Sequence, residues 1–100
     1  MRITFDPAAR TDLDDIFAWI SENNISAAYE MIARIEARIG LLATPGLEHM
    51  GRPGLDEGTR ELIEYPYIVV YEVFESRGEI VVWSIVHGAQ EREERERHRR

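Results

Sequence analysis

The sequence contains no cysteine, no lysine and no long apolar run. Without cysteine there are no disulfides and no thiolate-ligated metal. The longest apolar stretches fall well short of the roughly 18 residues needed to cross a bilayer as a helix, and Met1–Asp6 carries no apolar core of a signal peptide. A cytoplasmic protein without contact with the membrane is expected. All twelve cationic side chains other than histidine are arginines, which stay protonated and cannot act as general bases at neutral pH. A glycine-rich phosphate loop, a Ser-His-Asp set and a dinucleotide fingerprint are all missing. His49, His87 and His98 show no ligand spacing, so neither a metal nor a cofactor is expected.

What is present is enough for one small core. One hundred residues, 44% of them hydrophobic, make a single globular domain, expected over residues 1–90. Residues 91–100, with four Glu and five Arg and no apolar side chain, read as a charged and flexible tail. The net charge of −7 is unevenly spread: residues 1–90 hold 15 Asp/Glu against 7 Arg, a net of −8. An acidic body argues against broad contact with nucleic acid, whose phosphates call for clustered cations.

Periodicity divides the chain in two. Arg2–Phe5 alternates as a short strand. Asp6-Pro7 then signals a helix start, the carboxylate capping free N–H groups and proline losing nothing at the first helical position. Asp12, Asp14 and Asp15 are read as anions favoured by the helix dipole. Leu13, Ile16, Phe17 and Ile20 form one apolar stripe ending near Ser21–Asn24. A second helix starting at or just before Ser26 carries Ala28, Ile32, Ile35, Ile39 and Leu42, and stops at Thr44-Pro45-Gly46. Residues 44–58, rich in glycine and proline, read as an irregular loop. From Thr59 the period becomes two, giving strands over Thr59–Glu64, Tyr67–Phe74 and Glu79–His87, joined by short turns. The expected fold class is α+β with the order β-α-α-β-β-β, a helical hairpin packed on one antiparallel sheet that also takes in the first strand.

Four segments carry a resemblance. They are Ala8-Ala9-Arg10-Thr11-Asp12-Leu13-Asp14-Asp15-Ile16, Gly51-Arg52-Pro53-Gly54 with Gly58-Thr59-Arg60-Glu61-Leu62, Tyr65-Pro66-Tyr67-Ile68-Val69-Val70-Tyr71, and Ile85-Val86-His87-Gly88-Ala89-Gln90. In this order they resemble the ParE branch of the RelE/ParE superfamily of toxins over nearly the whole chain. Two features depart from the family pattern: Glu72 and Val73 stand where a basic residue is usual, and the charged tail is longer. The resemblance implies the toxin of a type II toxin–antitoxin system that inhibits DNA gyrase by protein–protein contact. It further implies neutralisation by a ParD-like antitoxin, a ribbon-helix-helix protein whose C-terminal tail wraps the toxin. DNA would then be met only indirectly, through the antitoxin.

The RelE-like branch offers an alternative, a ribosome-dependent mRNA endonuclease. Cleavage by attack of a 2′-OH needs a base, cations on the scissile phosphate and an acid for the leaving oxygen. The residues available are His87, Arg60, Arg52 and Glu61. Against that reading stand the acidic body and the simpler roles open to each residue: a strand-end hydrogen bond for His87, salt bridges for Arg52 and Arg60. Arg52, Arg60 and His87 are equally candidates for contact with a protein target, so enzymatic activity is the less expected outcome. Both faces of the last two strands are rich in apolar residues, with Tyr67, Val69, Tyr71 and Val73 opposite Ile68, Val70 and Phe74. Simple alternation in the last strand sets Ile80, Val82 and Val86 opposite Val81, Trp83 and Ile85. Two helices cover one face only, so the other is expected to be an apolar docking surface for an antitoxin segment. Ile16, Ile20, Tyr67, Val69, Tyr71, Trp83 and Ile85 are the antitoxin-binding candidates.

Overall fold

The structure, a computed structural model, describes residues 1–88; the charged tail expected over 91–100 lies outside the described residues. Strand β1 (Arg2–Phe5) leads into helix α1 (Pro7–Ser21) and helix α2 (Ile25–Gly40). After a long connection come β2 (Arg52–Pro53), β3 (Thr59–Glu64), β4 (Tyr67–Phe74) and β5 (Glu79–His87). The helix starts are set by their caps. Asp6 accepts from the Ala8 N–H at 2.9 Å with Pro7 at the first helical position, and Asn24 accepts from the Ala27 N–H at 3.0 Å. Each side chain takes up one of the four N–H groups that a helix start leaves unpaired.

The five strands form one sheet in the order β1-β5-β4-β3-β2. This mixed sheet corrects the expectation of a purely antiparallel one, because β1 pairs with β5 in parallel. Short turns make β3, β4 and β5 an antiparallel meander, so β3 and β5 run the same way. The long connection after α2 brings the chain back to start β3 in the direction of β1, and parity then makes β1 and β5 parallel. The loop read as irregular also contains β2, which pairs Arg52 with Glu61 and Pro53 with Arg60.

One face of the sheet packs under the helices. Ala9, Leu13 and Ile16 of α1 and Ile35 and Ile39 of α2 meet Leu62, Tyr67, Val69, Tyr71, Ile80, Val82 and Ile85. The last of these overturns the alternation expected for β5. The β4–β5 register slips between Val70 and Tyr71, with Val70 opposite Ser84 and Tyr71 opposite Val82. This β-bulge inserts one extra residue at Trp83 and re-phases everything after it. Ile80, Val82 and Ile85 therefore share the helix face, while Val81, Trp83 and Val86 share the other.

Gly40 closes α2 in right-handed helical geometry, and a Cβ there would meet nothing within 4 Å. Gly40→Ala is expected to raise stability by about 0.5–1 kcal/mol, since alanine gives up less backbone freedom on folding. Thermal unfolding followed by circular dichroism checks it; an unchanged or lower midpoint would count against this reading of the α2 terminus.

Candidate functional site

The sequence offered Arg52, Glu61, Arg60 and His87 as one constellation; the fold distributes them over two faces and two ends of the sheet. Arg60 and Glu61 are neighbours on β3, so the pleat sends them to opposite faces. Glu61 is buried on the face away from the helices, opposite Val70. It accepts from Arg52 Nε at 3.0 Å, and the second guanidinium contact is 2.9 Å. This cross-strand ion pair ties β2 to β3. Removing Arg52 would leave a buried carboxylate without its cation, so the pair is strongly structural.

Arg60 faces the helix side, opposite Tyr71. Its guanidinium donates to the Gly51 carbonyl, while the Tyr71 hydroxyl accepts from the Gly51 N–H at 3.0 Å. Both backbone groups of Gly51 are thereby held, and the loop before β2 is fastened to the sheet. Arg60 Nε is buried without a partner among the described residues.

His87 is exposed at the far end of β5, opposite Tyr67, its ring edge-on to the Tyr67 ring at 5.7 Å. Arg60 sits beside Tyr71, four residues further along β4, and on the other side of that strand. At about 3.3 Å per residue and about 4.8 Å between strands, the two backbones are roughly 16 Å apart. The Arg60 guanidinium is turned to the Gly51 carbonyl, away from His87, and Glu61 and Arg52 are paired with each other on the opposite face. Burial raises the pKa of the Tyr67 hydroxyl above its ordinary value, so that ring next to His87 stays neutral at physiological pH and is no substitute base.

Of the antitoxin-binding candidates, Ile16, Tyr67, Val69, Tyr71 and Ile85 are buried between helices and sheet, and Ile20 packs against the same core. Their surface is already used by the chain itself, which is a correction to that part of the expectation. Trp83 alone lies on the other face. It donates from Nε1 to Glu72 Oε1 at 3.1 Å and packs edge-on against Phe74 at 6.4 Å. On that face Ile68, Val70 and Val81 are themselves buried, Trp83, Phe74 and Val86 are half-buried, and Ile63 is exposed. The freely exposed apolar area is thus narrower than two-sided alternation implies.

Two acidic residues have partners other than those the sequence suggested, the helix dipole for Asp12 and Arg60 for Glu64. Asp12, read as a helix-dipole anion, lies beyond the first turn of α1 and accepts from the Ile85 N–H at 2.8 Å. Glu64 binds Arg34 at 2.8 Å and Arg38 at 3.4 Å, joining β3 to α2. The i,i+4 spacing of Arg34 and Arg38 was the available signal for the second.

Residues 3–92 match the family profile described as ParE toxin of type II toxin-antitoxin system, parDE. Over 92 residues the chain is 34% identical to Y4kP of Sinorhizobium fredii, which carries the name of a toxin; the match covers 90% of this chain and 91% of that protein. Among solved structures, the chromosomal ParDE system of P. aeruginosa superposes with a TM-score of 0.74 at 22% identity, covering 87% of this chain and 95% of that one. RelBE2 of Mycobacterium tuberculosis gives 0.55 at 23% identity, over 86% and 95% of the two chains. The intact E. coli RelBE complex gives 0.52 at 14% identity, over 86% and 94%. At these identities the solved structures establish the fold: two helices on a five-stranded mixed sheet.

Proposed function

Because the chain belongs to the ParE toxin family of type II toxin–antitoxin systems, we propose that it acts by protein–protein contact, inhibiting DNA gyrase and held inactive by a ParD-like antitoxin. The observation carrying this reading is the dispersal of His87, Arg60, Arg52 and Glu61. Two are locked in structural bonds on opposite faces, a third is the buried partner of one of them, and the last stands alone at a strand end. An mRNA endonuclease would need them around one phosphate. The acidic body adds to the argument, since ribosomal RNA offers it nothing to bind.

An antitoxin partner is supported by the family and by the structural neighbours, which are themselves toxin–antitoxin complexes. On this chain, the sheet face bearing Trp83, Phe74, Val86 and Ile63 is the natural ground for an antitoxin segment, because the helices leave it uncovered. DNA would be reached through the antitoxin alone, and the cytoplasm, where gyrase works, is the proposed location.

The test is a supercoiling assay with purified gyrase beside an mRNA-cleavage assay on translating ribosomes. The toxin is expected to inhibit supercoiling and leave mRNA intact, and His87→Ala to cut no activity by way of chemistry. Untouched supercoiling with cleaved mRNA would overturn the proposal.

A further inference from the structure

We propose that the flank of α1 bearing Asp15, Trp19 and Glu22 is a docking site for a segment of this same chain, residues 89–100, whose arginines between 95 and 100 it takes up.

The flank is anionic and has an aromatic centre. Trp19 is 71% exposed, and tryptophan offers a cation the best aromatic face. Asp15 and Glu22 stand four residues before it and three after it, on its own side of the helix. Neither carboxylate has an ion pair among the described residues, and neither has an arginine three or four residues away. Glu22 also caps the C-terminus of α1, where the helix dipole disfavours an anion, and the last turn holds no basic residue. The seven arginines of the described residues are all engaged elsewhere. Arg2 and Arg77 bind Glu79, Arg34 and Arg38 bind Glu64, and Arg52 binds Glu61. Arg60 holds the Gly51 carbonyl, and Arg10, on the opposite side of α1 from Trp19, lies over the Phe5 ring at 4.5 Å.

Residues 95–100 have the cations this flank lacks. Arg95, Arg97, Arg99 and Arg100 against Glu96 make a net of +3, while Glu91, Glu93 and Glu94 against Arg92 give residues 89–94 a net of −2. The chain also leaves the sheet beside the flank. The Asp6 N–H donates to the Val82 carbonyl at 2.9 Å and Asp12 accepts from the Ile85 N–H at 2.8 Å, so α1 advances along β5 in the strand's own direction. Trp19 follows Asp12 by seven residues, two turns on and on the same side, roughly 10 Å further. Gly88 lies three residues beyond Ile85, also about 10 Å. Trp19 therefore comes level with the end of β5. Residues 89–94 span up to about 20 Å when extended, enough to set the cationic half against the helix. Docked there, an arginine stacks on the indole and its neighbours meet Asp15 and Glu22, within a body of net −8.

Acrylamide quenching of Trp19 in the full chain tests this, with Trp83→Phe leaving one tryptophan to report. Replacing Arg95, Arg97, Arg99 and Arg100 together by Gln should raise the quenching constant about twofold, as one face of the indole is released to solvent. Asp15→Asn with Glu22→Gln should do the same. So should about 0.5 M NaCl on the parent, where the Debye length falls to about 4 Å. The thermal midpoint should stay the same, because every substituted residue lies outside the core. The unsubstituted chain gives a second readout: the indole N–H resonance of Trp19, assigned from Trp19→Phe, should move with salt and take the high-salt position in the tail variant. Quenching and resonance that ignore both the tail and the carboxylate substitutions would overturn the proposal. Protection that grows with protein concentration would put the tail of a second copy on the flank and overturn the intramolecular occupant.

Discussion

Gly51→Ala is expected to destabilise the fold by about 3 kcal/mol, lowering the thermal midpoint by at least about 12 °C. A Cβ at Gly51 would fall 2.6 Å from the Glu61 carbonyl oxygen and 2.8 Å from the Tyr71 hydroxyl, with the ring carbon Cε1 at 2.9 Å. None of these can give way cheaply. The carbonyl belongs to β3 between β2 and β4, and Tyr71 is fully buried in the core. Overpacking of this kind costs about 1–3 kcal/mol. Pushing Gly51 outward would also break its N–H bond to Tyr71, which leaves a buried donor unsatisfied at about 1–3 kcal/mol. It would further loosen the Arg60 bond to the Gly51 carbonyl. For a domain of this size each kcal/mol moves the midpoint about 4–8 °C. Tyr71→Phe separates the two contributions, because it removes the hydroxyl acceptor while making room. It should cost less than Gly51→Ala by itself, and in the double variant it should recover part of the steric loss. Differential scanning calorimetry of the three variants gives the answer. A Gly51→Ala protein as stable as the parent would mean that the loop is not fastened as described.

This latch explains why part of the fold was legible in the sequence and part was not. Local signals carried the helices: Asp6-Pro7 caps the first where the pattern places it, the second begins at Ile25, just before Ser26 as expected, and Ile35 and Ile39 fall in the core as their spacing demands. The three-strand meander followed from its period and short turns. What failed to show locally depended on through-space geometry. No property of residues 50–54 by themselves says that Gly51 will be clasped by Arg60 and Tyr71, or that Arg52-Pro53 will add a strand. The parallel pairing of β1 came from the direction in which a long connection returns. The phase of β5 came from one extra residue at Trp83, which carried Ile85 into the core against simple alternation.

The candidate site shows the same division more sharply. Adjacent Arg60 and Glu61 on a strand of period two must face opposite ways, so half of the nuclease constellation was already ruled out by the pleat. The other half required the register. Only the pairing of His87 with Tyr67 and of Arg60 with Tyr71 reveals that they stand at different ends of β4. The antitoxin-binding candidates were chosen as apolar, and apolarity does not distinguish a residue covered by its own helices from one left for a partner. Burial made that distinction, leaving Trp83 on the open face, Ile20 half-buried against the core and the other five within it.

The β5 bulge also sets the second large expectation. Pairing with β1 ends at Val82, yet β5 continues to His87, so its outer edge loses its neighbour strand over the last five residues. The Ile85 N–H on that edge is met instead by the Asp12 carboxylate at 2.8 Å, from the second turn of α1. Ile85 is 3% exposed, so water is a poor substitute. Asp12→Ala removes a charge-assisted acceptor and strands a buried donor, at about 1.5–3 kcal/mol, or a midpoint drop of about 6–24 °C. Asp12→Asn keeps a carbonyl acceptor without the charge and should lose about half as much. Asp14 and Asp15 are exposed, and alanine at either should change stability by less than about 0.5 kcal/mol. If helix-dipole attraction were the whole role of these aspartates, the three alanine variants would behave alike. Amide hydrogen exchange supplies the local readout: Asp12→Ala should speed exchange at Ile85 well beyond its effect on Val82, whose place in the β1–β5 pairing is untouched. Equal acceleration at both amides would mean that Asp12 supports the fold globally and does not cap the free edge of β5.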